Sequence, residues 1–348
     1  MESDSVLKLD YLSLAEIAER PAAWWQSVLG VAAFDAAAPS APSADIPMAS
    51  VATPVLGGSA RRYEVWQAPH AARSGTRGRI QYRVGAGVVF GRLSIAESEL
   101  GALAGEASAL QRATELAYRE IFALVDALAM PHLVRVWNFL PDINGTSHGS
   151  ERYWQFNSAR QDGFIAHARA VTGAVPAACG VGSPRGAPLV IYFLASATAP
   201  TVIENPRQVS AYHYPPAYSP RSPTFSRACV ADFPNGRMLF ISGTASILGH
   251  ATVHIGDAAA QTRETLRNIE ALLAGANRES GAQAPIAISD LRYKAYVRHA
   301  ADQPLIEREM RAAFGDNVQA LYLHAELCRQ DLSVEIEATG CHFANGGA

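Results

Sequence analysis

The sequence predicts an α+β protein of two similar halves, each a mixed β-sheet with helices packed on one face. First, the same order of strand, helix, strand and closing strand occurs twice along the 348 residues. Second, a composition of 49% hydrophobic and 18% charged residues provides enough apolar side chains for two ordinary cores. We therefore predict an N-terminal half over residues 1–200 and a C-terminal half over residues 201–348.

Ahead of the first copy, the sequence indicates a helix-like piece followed by a loop. A short helix-like piece runs from Ser13 to Leu29 and contains Trp24 and Trp25. The segment from Ala36 to Pro47 is rich in Ala, Pro and Ser and is typical of a loop or linker.

The first copy is predicted from four segments with strand or helix periodicity. It begins with the apolar strand Val88 to Ser94, continues through a helix around Ala107 to Ala129 and the strand Leu133 to Phe139, and closes with the strand Pro188 to Ser196. A strand, a helix and further strands make one α+β unit.

The second copy repeats this order. The strand Arg237 to Ser242 precedes a helix around Ala258 to Ala274, and the strands Leu291 to Arg298 and Leu332 to Thr339 follow. Helical spacing places four apolar side chains on one face of that helix: Leu266, Ile269, Leu272 and Leu273.

Composition and motifs exclude several classes of function. A net charge of -3 offers no basic face for a phosphate backbone, so we expect no nucleic-acid partner. Residues 1–10 have no signal-peptide pattern, and no apolar run approaches the roughly 20 residues of a membrane helix, so we expect a cytoplasmic protein without a membrane partner. The four cysteines and ten histidines show no metal-ligand spacing, and no nucleotide-binding glycine motif occurs. We expect reduced thiols, no metal, no cofactor, and chemistry carried by ordinary side chains.

The closing strand of the second copy carries an acid within an otherwise strand-like run. Glu335 is unexpected there because strand interiors are depleted in Glu, and a carboxylate facing an apolar interior raises its own pKa. Laid over the first copy, Tyr192 lies opposite Glu335 and Leu194 opposite Glu337, so only one copy has acids. We interpret Glu335 as a working acid. A solvated strand face is the alternative, and a one-residue register shift would exchange Glu335 and Glu337 at the cleft.

Two segments between the copies are dense in arginine and tyrosine: 152–160 and 212–227. Arginine binds carboxylates with a planar donor fork, and tyrosine adds a ring and a hydroxyl, so these segments suit a small cyclic ligand with carboxylates. Surface loops are the alternative. Gly243 follows a strand and would allow a sharp turn or a close approach to a ligand. Cys328, seven residues before Glu335, is either a small buried hydrophobe or a cleft residue.

The second copy resembles the RidA/YjgF fold in the order of Leu239 to Thr244, a helix, Lys294 to Arg298 and Val334 to Ala338. Small subunits of that fold form trimers with active clefts between neighbours. Over nearly its whole length, with Tyr153-x-x-Phe156-Asn157-x-x-Arg160 and the segment 214–227, the chain resembles the chorismatase family. That family hydrolyses chorismate or converts it to a hydroxybenzoate with release of pyruvate.

The resemblance to chorismatases implies roles for particular residues. It implies Glu335 as the catalytic acid, and it implies four substrate-binding residues: Tyr153, Arg160, Tyr214 and Arg227. Arg221 stays an alternative to Arg227.

Cys328 resembles the aromatic-forming kind of chorismatase, and Gly243 is a second candidate for product selectivity. The resemblance therefore implies conversion of chorismate to 3-hydroxybenzoate, alone or with 4-hydroxybenzoate, and pyruvate. Three alternatives stay open: hydrolysis to a trans-3,4-dihydroxycyclohexadiene carboxylate, a RidA-like imine deaminase, and a small-molecule binding protein. The oligomeric state, monomer or homotrimer, stays open as well.

Overall fold

Three β-sheets pack around one shared core. The computed structural model describes residues 7–35, 39, 44–101, 107–233, 236–279 and 285–343, with the side chains of 341–343 excepted. Most of the predicted loop from Ala36 to Pro47 lies outside the described residues.

The first sheet is formed by the N-terminal region, where no strand was predicted. Its strands have the order β1-β4-β2-β3. They are β1 (Lys8–Ser13), β2 (Val28–Phe34), β3 (Met48–Val51) and β4 (Arg61–Gln67).

The predicted helix from Ser13 to Leu29 is wrong. Only two short helices occur there, α1 (Leu14–Ala18) and α2 (Trp24–Ser27), separated by a segment that contains Pro21. Strand β2 then begins at Val28, and all seven of its residues are buried. Pairing of β2 with β3 and β4 in a sheet buried on both faces therefore overrides the local helical pattern.

The second sheet has six strands in the order β11-β8-β12-β7-β6-β5. The strands are β5 (Arg73–Arg77), β6 (Ile80–Gly85), β7 (Val88–Ile95), β8 (His132–Pro141), β11 (Ala177–Ser183) and β12 (Leu189–Ser196). Two short strands, β9 (Thr146–Ser147) and β10 (Ser150–Glu151), form a hairpin ahead of α4. The helices α3 (Ala109–Ala127) and α4 (Arg152–Ala166) pack against each other.

The third sheet has six strands in the order β13-β14-β15-β20-β18-β19. The strands are β13 (Thr201–Ile203), β14 (Ala228–Phe233), β15 (Gly236–Ala245), β18 (Leu291–Val297), β19 (Gln319–His324) and β20 (Val334–Phe343). The hairpin of β16 (Ile247–Leu248) and β17 (Ala251–Thr252) follows β15. The helices of this part are α5 (Ala258–Glu279) and α6 (Gln303–Phe314).

The internal repeat is visible in the sheet topology. Reading the third sheet backwards places β15, β18 and β20 where β7, β8 and β12 lie in the second sheet, and β11 and β19 are both added in parallel at one edge. The predicted α+β class, with a mixed sheet in each half, is confirmed. The division at residue 200 stays a prediction.

Helices cover the outer faces of the two larger sheets, and the inner faces meet. Side chains of α3 and α4 pack with Val136 and Phe193, and side chains of α5 and α6 pack with Ile336. The alternate residues of the same strands face inward, where Trp137 of the second sheet and Phe240 of the third share a core with the first sheet. A polar side chain on an inner face is therefore buried between sheets.

Candidate active site

A cleft lies where the second sheet meets the third. Ser242 of β15 joins them, because its Oγ accepts from the Ala178 amide at 2.9 Å and donates to the Ser226 carbonyl at 2.6 Å. The empty space beside this junction amounts to about 770 Å³, counting the part open to solvent. All seven residues that the sequence predicted for binding, catalysis and selectivity line this cleft: Tyr153, Arg160, Tyr214, Arg227, Gly243, Cys328 and Glu335.

The two halves supply different parts of the lining. Tyr153 and Arg160 lie seven residues apart on α4, which places them on one helix face above β11. Tyr214 lies in the long segment between β13 and β14, and Arg227 ends that segment. The acid Glu335 comes from β20, in the centre of the third sheet.

Glu335 is a buried carboxyl in the lining of the cleft. Glu335 is 4% exposed, and its backbone lies opposite Ala245 on β15 and Tyr296 on β18. Burial, and secondly the negative charge of Glu337, raise the pKa of Glu335 to about 8, although nearby cationic groups and a contact with Cys328 act in the opposite direction. At neutral pH this carboxyl is therefore mostly protonated and able to donate a proton.

Gly243 makes room for that carboxyl. Pairing between β15 and β20 shifts by one residue between Ile241 and Thr244, so Ser242 and Gly243 together lie opposite one residue of β20. A Cβ atom on Gly243 would lie 1.9 Å from Oε1 of Glu335. The sequence indicated a close approach of Gly243 to a ligand or a sharp turn. In the structure, the backbone of Gly243 lies close to the carboxyl group of Glu335.

Glu337 lies on the same inner face of β20, since side chains two residues apart in a strand point the same way. Both glutamates are buried, so the alternative of a solvated strand face is wrong. A one-residue register shift would turn both away together, so the expected exchange between them does not arise. The two glutamates differ in their partners. Glu337 forms ion pairs with Arg135 at 2.6 Å and with Lys294 at 2.8 Å.

Two buried arginines flank the cleft with unused donors. Arg160 is 2% exposed, and its Nε and one terminal nitrogen have no hydrogen-bond partner among the described residues. Arg227 is 3% exposed; it donates to the Tyr214 hydroxyl at 2.6 Å and the Val209 carbonyl at 2.8 Å, while its Nε is unpartnered within the same part of the chain. Buried unsatisfied donors are costly, and an anionic ligand would satisfy them.

Arg221 is far less suited to ligand binding than Arg227. It is exposed, it pairs with Asp162 at 3.0 Å and donates to Gln161 at 3.1 Å, and it does not line the cleft. The geometry therefore favours Arg227 of the two candidates.

Cys328 contacts the acid directly. Its Sγ lies 3.9 Å from Oε2 of Glu335, and burial and the neighbouring carboxyl raise the pKa of the thiol to about 12. A protonated thiol at this position is a weak donor to the acid. The described cysteines Cys179, Cys229 and Cys328 are free, and Cys341 has no described side chain.

Sequence reasoning missed Arg329, which also lines the cleft. Its guanidinium lies 4.0 Å from the ring centroid of Tyr218 and 5.1 Å from that of Tyr214, and it donates to the His250 carbonyl at 2.9 Å. It thereby connects the tyrosine-rich segment to the β16–β17 hairpin. Its place next to Cys328 in the sequence was the available signal.

Within the ranges that the structure describes, no group of three or more His, Cys, Asp or Glu side chains is arranged to hold a metal ion. No helix in the same part of the chain is long and apolar enough to cross a membrane.

Comparison with known proteins identifies the family. A curated relative from Streptomyces hygroscopicus named chorismatase is 34% identical over 281 residues, which cover 79% of this chain and 78% of the relative. The chain belongs to the chorismatase family. A second curated relative from the same species, named 3-hydroxybenzoate synthase, is 42% identical over 65% of this chain and 68% of its own length. The family model described as Chorismatase FkbO/Hyg5-like, N-terminal, matches residues 64–195.

The fold agrees with the family. A crystal structure of a chorismatase at 1.08 Å resolution superimposes with a TM-score of 0.83 and 30% sequence identity, covering 97% of this chain and 98% of the other. The chain is therefore an enzyme of the chorismatase family. The likeness of its halves to the RidA/YjgF fold stays a prediction.

Proposed function

We propose that this enzyme converts chorismate to 3-hydroxybenzoate and pyruvate, alone or with 4-hydroxybenzoate, with Glu335 as general acid. The observation that carries the proposal is a buried, protonated carboxyl in the lining of a cleft flanked by two buried arginines with unused donors. Among the curated relatives, the one named 3-hydroxybenzoate synthase is 42% identical, and this name supports the aromatic product.

The proton of Glu335 starts the reaction. It is transferred to the methylene carbon of the enolpyruvyl group, which forms a C–H bond and leaves an oxocarbenium-like centre. The bond between the ring and the ether oxygen then breaks, and its electron pair completes the carbonyl of pyruvate. For 3-hydroxybenzoate, the oxygen of the neighbouring ring hydroxyl bonds to the carbon that pyruvate leaves and then gives up its bond to its own carbon; when this oxygen stays in place, the product is 4-hydroxybenzoate. As the ring becomes aromatic it releases, on balance, one proton, which restores Glu335.

Orientation comes from the charged and aromatic lining. Chorismate carries a ring carboxylate and an enolpyruvyl carboxylate, and Arg160 and Arg227 would each bind one of them. Tyr153 and Tyr214 would pack against the ring and direct its hydroxyl. In this arrangement the enolpyruvyl group lies beside Glu335.

The choice of product depends on water. Chorismate yields hydroxybenzoate and pyruvate with no atom added, whereas the diene acid requires one water molecule. Cys328 and Gly243 both contact Glu335 or the space beside it. We propose that the thiol fills the place from which water would attack, so that the substrate's own hydroxyl displaces the leaving group.

Incubation of the purified protein with chorismate tests the proposal. Pyruvate release is followed over time, and the ring product is separated by chromatography. Pyruvate with 3-hydroxybenzoate supports it, and pyruvate with the diene acid would replace the proposed product with that of simple hydrolysis. No pyruvate from folded protein contradicts the enzyme reaction and favours an imine deaminase or a binding protein.

Cys328→Ala tests the selectivity step. We expect a larger share of the diene acid, because the smaller side chain admits water near the reacting carbon. The ratio of ring products measures this. An unchanged ratio at unchanged total pyruvate would remove Cys328 from the account of product choice.

A further inference from the structure

Glu337 belongs to a buried network of charges that the proposed reaction does not use. Its two oxygens accept from the Trp137 indole at 2.7 Å and the Tyr296 hydroxyl at 3.1 Å, besides the ion pairs with Arg135 and Lys294. All of these side chains are buried.

The network extends to the first sheet. Lys294 also pairs with Glu64 of β4 at 2.5 Å, and Glu64 accepts from the Trp66 indole at 2.7 Å. Two carboxylates and two cations therefore balance each other between three sheets. A buried carboxylate with so many charge-assisted partners stays ionised, and Lys294 and Arg135 outweigh burial to lower the pKa of Glu337 to about 2.

Glu335 is a third buried glutamate near this network, but it has different partners. Among the described residues it has no ion pair, and its one hydrogen-bond contact is with the Cys328 thiol. It lies two residues from Glu337 on the same face of β20, and both residues are buried, so the fixed negative charge of Glu337 acts on it with little screening by solvent.

We propose that Glu337 is a positioning residue for the acid: its negative charge, fixed by Lys294 and Arg135, keeps Glu335 protonated and thereby sets the upper pH limit of the reaction. This inference rests on the proposed function where it is tested by the rate of pyruvate release. Two carboxyl groups with opposite protonation at one pH are a recurrent way to hold an acid ready in a neutral solution.

The other charged and titratable groups around Glu335 act less strongly or in the opposite direction. Two arginines, Arg135 on β8 and Arg227 ahead of β14, favour the ionised form. Arg160 on α4 and Arg329 beside Cys328 line the same cleft. The neutral titratable groups near it are Cys328 before β20, Cys179 on β11 and Tyr153 on α4. Burial raises the pKa of all three, so they stay uncharged at neutral pH. Glu337 is then the anion that opposes the two arginines.

The pH dependence of turnover in Glu337→Gln tests this inference, with Glu64→Gln as the matched control. Both variants remove one buried carboxylate that pairs with Lys294, but only Glu337 lies beside the acid. We expect the alkaline limb of pyruvate release to move down by about one pH unit or more in Glu337→Gln, with about ten-fold lower activity above the limb and recovery at lower pH. In Glu64→Gln we expect the limb to stay where it is in the wild type.

A purely structural role predicts a different result. It predicts loss of activity by the same factor at every pH in Glu337→Gln, with the limb unmoved, and that result would overturn the proposal. A limb that moves equally in both variants would overturn it too, because it would assign the effect to the network as a whole.

Infrared titration of the carboxyl groups gives a second test that needs no turnover and no folded Glu337→Gln. In the substrate-free wild type we expect a neutral carboxyl band near pH 7 that is missing in Glu335→Gln, while a second buried carboxylate stays ionised down to about pH 4. A Glu335 band that is absent at pH 7 and appears only below about pH 5 contradicts the inference. If chorismate releases no pyruvate but the band is present, the proposed function fails and the inference about the two carboxyls stands.

Discussion

The closing strands β12 and β20 occupy the same place in the two larger sheets but carry different inner faces. Strand β12 is apolar and completely buried, and its inner side chains include Tyr192 and Leu194. Strand β20 has Glu335 and Glu337 on that face. The comparison shows that duplication produced the scaffold twice, whereas the acid was placed in one copy.

The same asymmetry divides the cleft. The second sheet and its helix α4 contribute Tyr153 and Arg160, whose types suit binding, while the third sheet contributes the acid Glu335 and the glycine beside it. Substitutions at Glu335 and Gly243 should therefore lower kcat, and substitutions at Tyr153 and Arg160 should raise KM.

The largest effect is expected from Glu335→Gln. The amide keeps the size of the side chain but cannot donate the required proton, so we expect kcat to fall by about 10²- to 10⁴-fold with ligand affinity retained. Steady-state kinetics and binding of a non-reactive dicarboxylate ring analogue measure the two quantities. Loss of binding together with turnover would instead make Glu335 a binding residue.

Next in size is the effect of Gly243→Ala. The added methyl group would lie 1.9 Å from Oε1 of Glu335, and the end of that side chain must move away. A displacement of this kind costs on the order of 100-fold in kcat. The corresponding change in the second sheet, Gly180→Ala, brings a Cβ to 3.2 Å from Cε2 of Tyr153, and we expect it to raise KM with a smaller change in kcat. Equal effects of the two variants on kcat would break the proposed division of the cleft.

Arg160→Lys should raise KM by about ten-fold or more, because a charge-assisted hydrogen bond contributes about 1.5–3 kcal/mol and lysine lacks the planar fork. Arg221→Lys is the matched control, since Arg221 is exposed and pairs with Asp162 outside the cleft. Kinetics over a range of chorismate concentrations separate KM from kcat. A change in kcat alone for Arg160→Lys would indicate that Arg160 acts in the chemical step and not in substrate binding.

A last effect is expected on stability, and it has the opposite sign to the effect on activity. The pKa of Glu335 is raised from 4.5 to about 8 in the folded protein, chiefly by burial. This group therefore stabilises the fold fully below about pH 4.5, and its contribution is lost as pH rises to about 8, by about 1.4 kcal/mol for each pH unit. The variant Glu335→Gln has no ionisable group at this position, so its stability does not fall with pH for this reason.

Thermal unfolding of the wild type and of Glu335→Gln at pH 5 and pH 8.5 measures the difference. We expect the Tm of the variant to exceed that of the wild type at pH 8.5 and the gap to narrow at pH 5. A gap that is the same at both pH values would show that burial does not keep this carboxyl neutral.

Periodicity in the sequence predicted the parts of the fold that repeat. The strands around Val88, Leu133, Arg237 and Leu291 and the helices α3 and α5 occur close to their predicted bounds, because each combines a local apolar pattern with burial of one face or both. The first sheet was missed, because β2 is stabilised by pairing with distant strands and the helical pattern around Trp24 is local.

The residue types of the site were visible in the sequence, but their partners were not. An acid in an apolar strand and clustered Arg and Tyr indicated Glu335, Arg160 and Arg227. Only the packing of α4 against β11, and of both sheets at Ser242, brings residues from positions 153 to 335 to one cleft. The part played by Arg329 also depends on contacts with the distant Tyr218 and His250.

The sequence by itself determined the α+β class, the duplication and the chemical types available to the site, because these follow from local periodicity and from side-chain chemistry. The tertiary structure decided which glutamate is protonated at neutral pH. Glu335 and Glu337 lie on the same strand face with the same side chain, and their protonation differs because Lys294 and Arg135 form ion pairs with Glu337, whereas Glu335 has no ion pair among the described residues. A pKa depends on neighbours in space, and those neighbours lie up to 202 residues away along the chain.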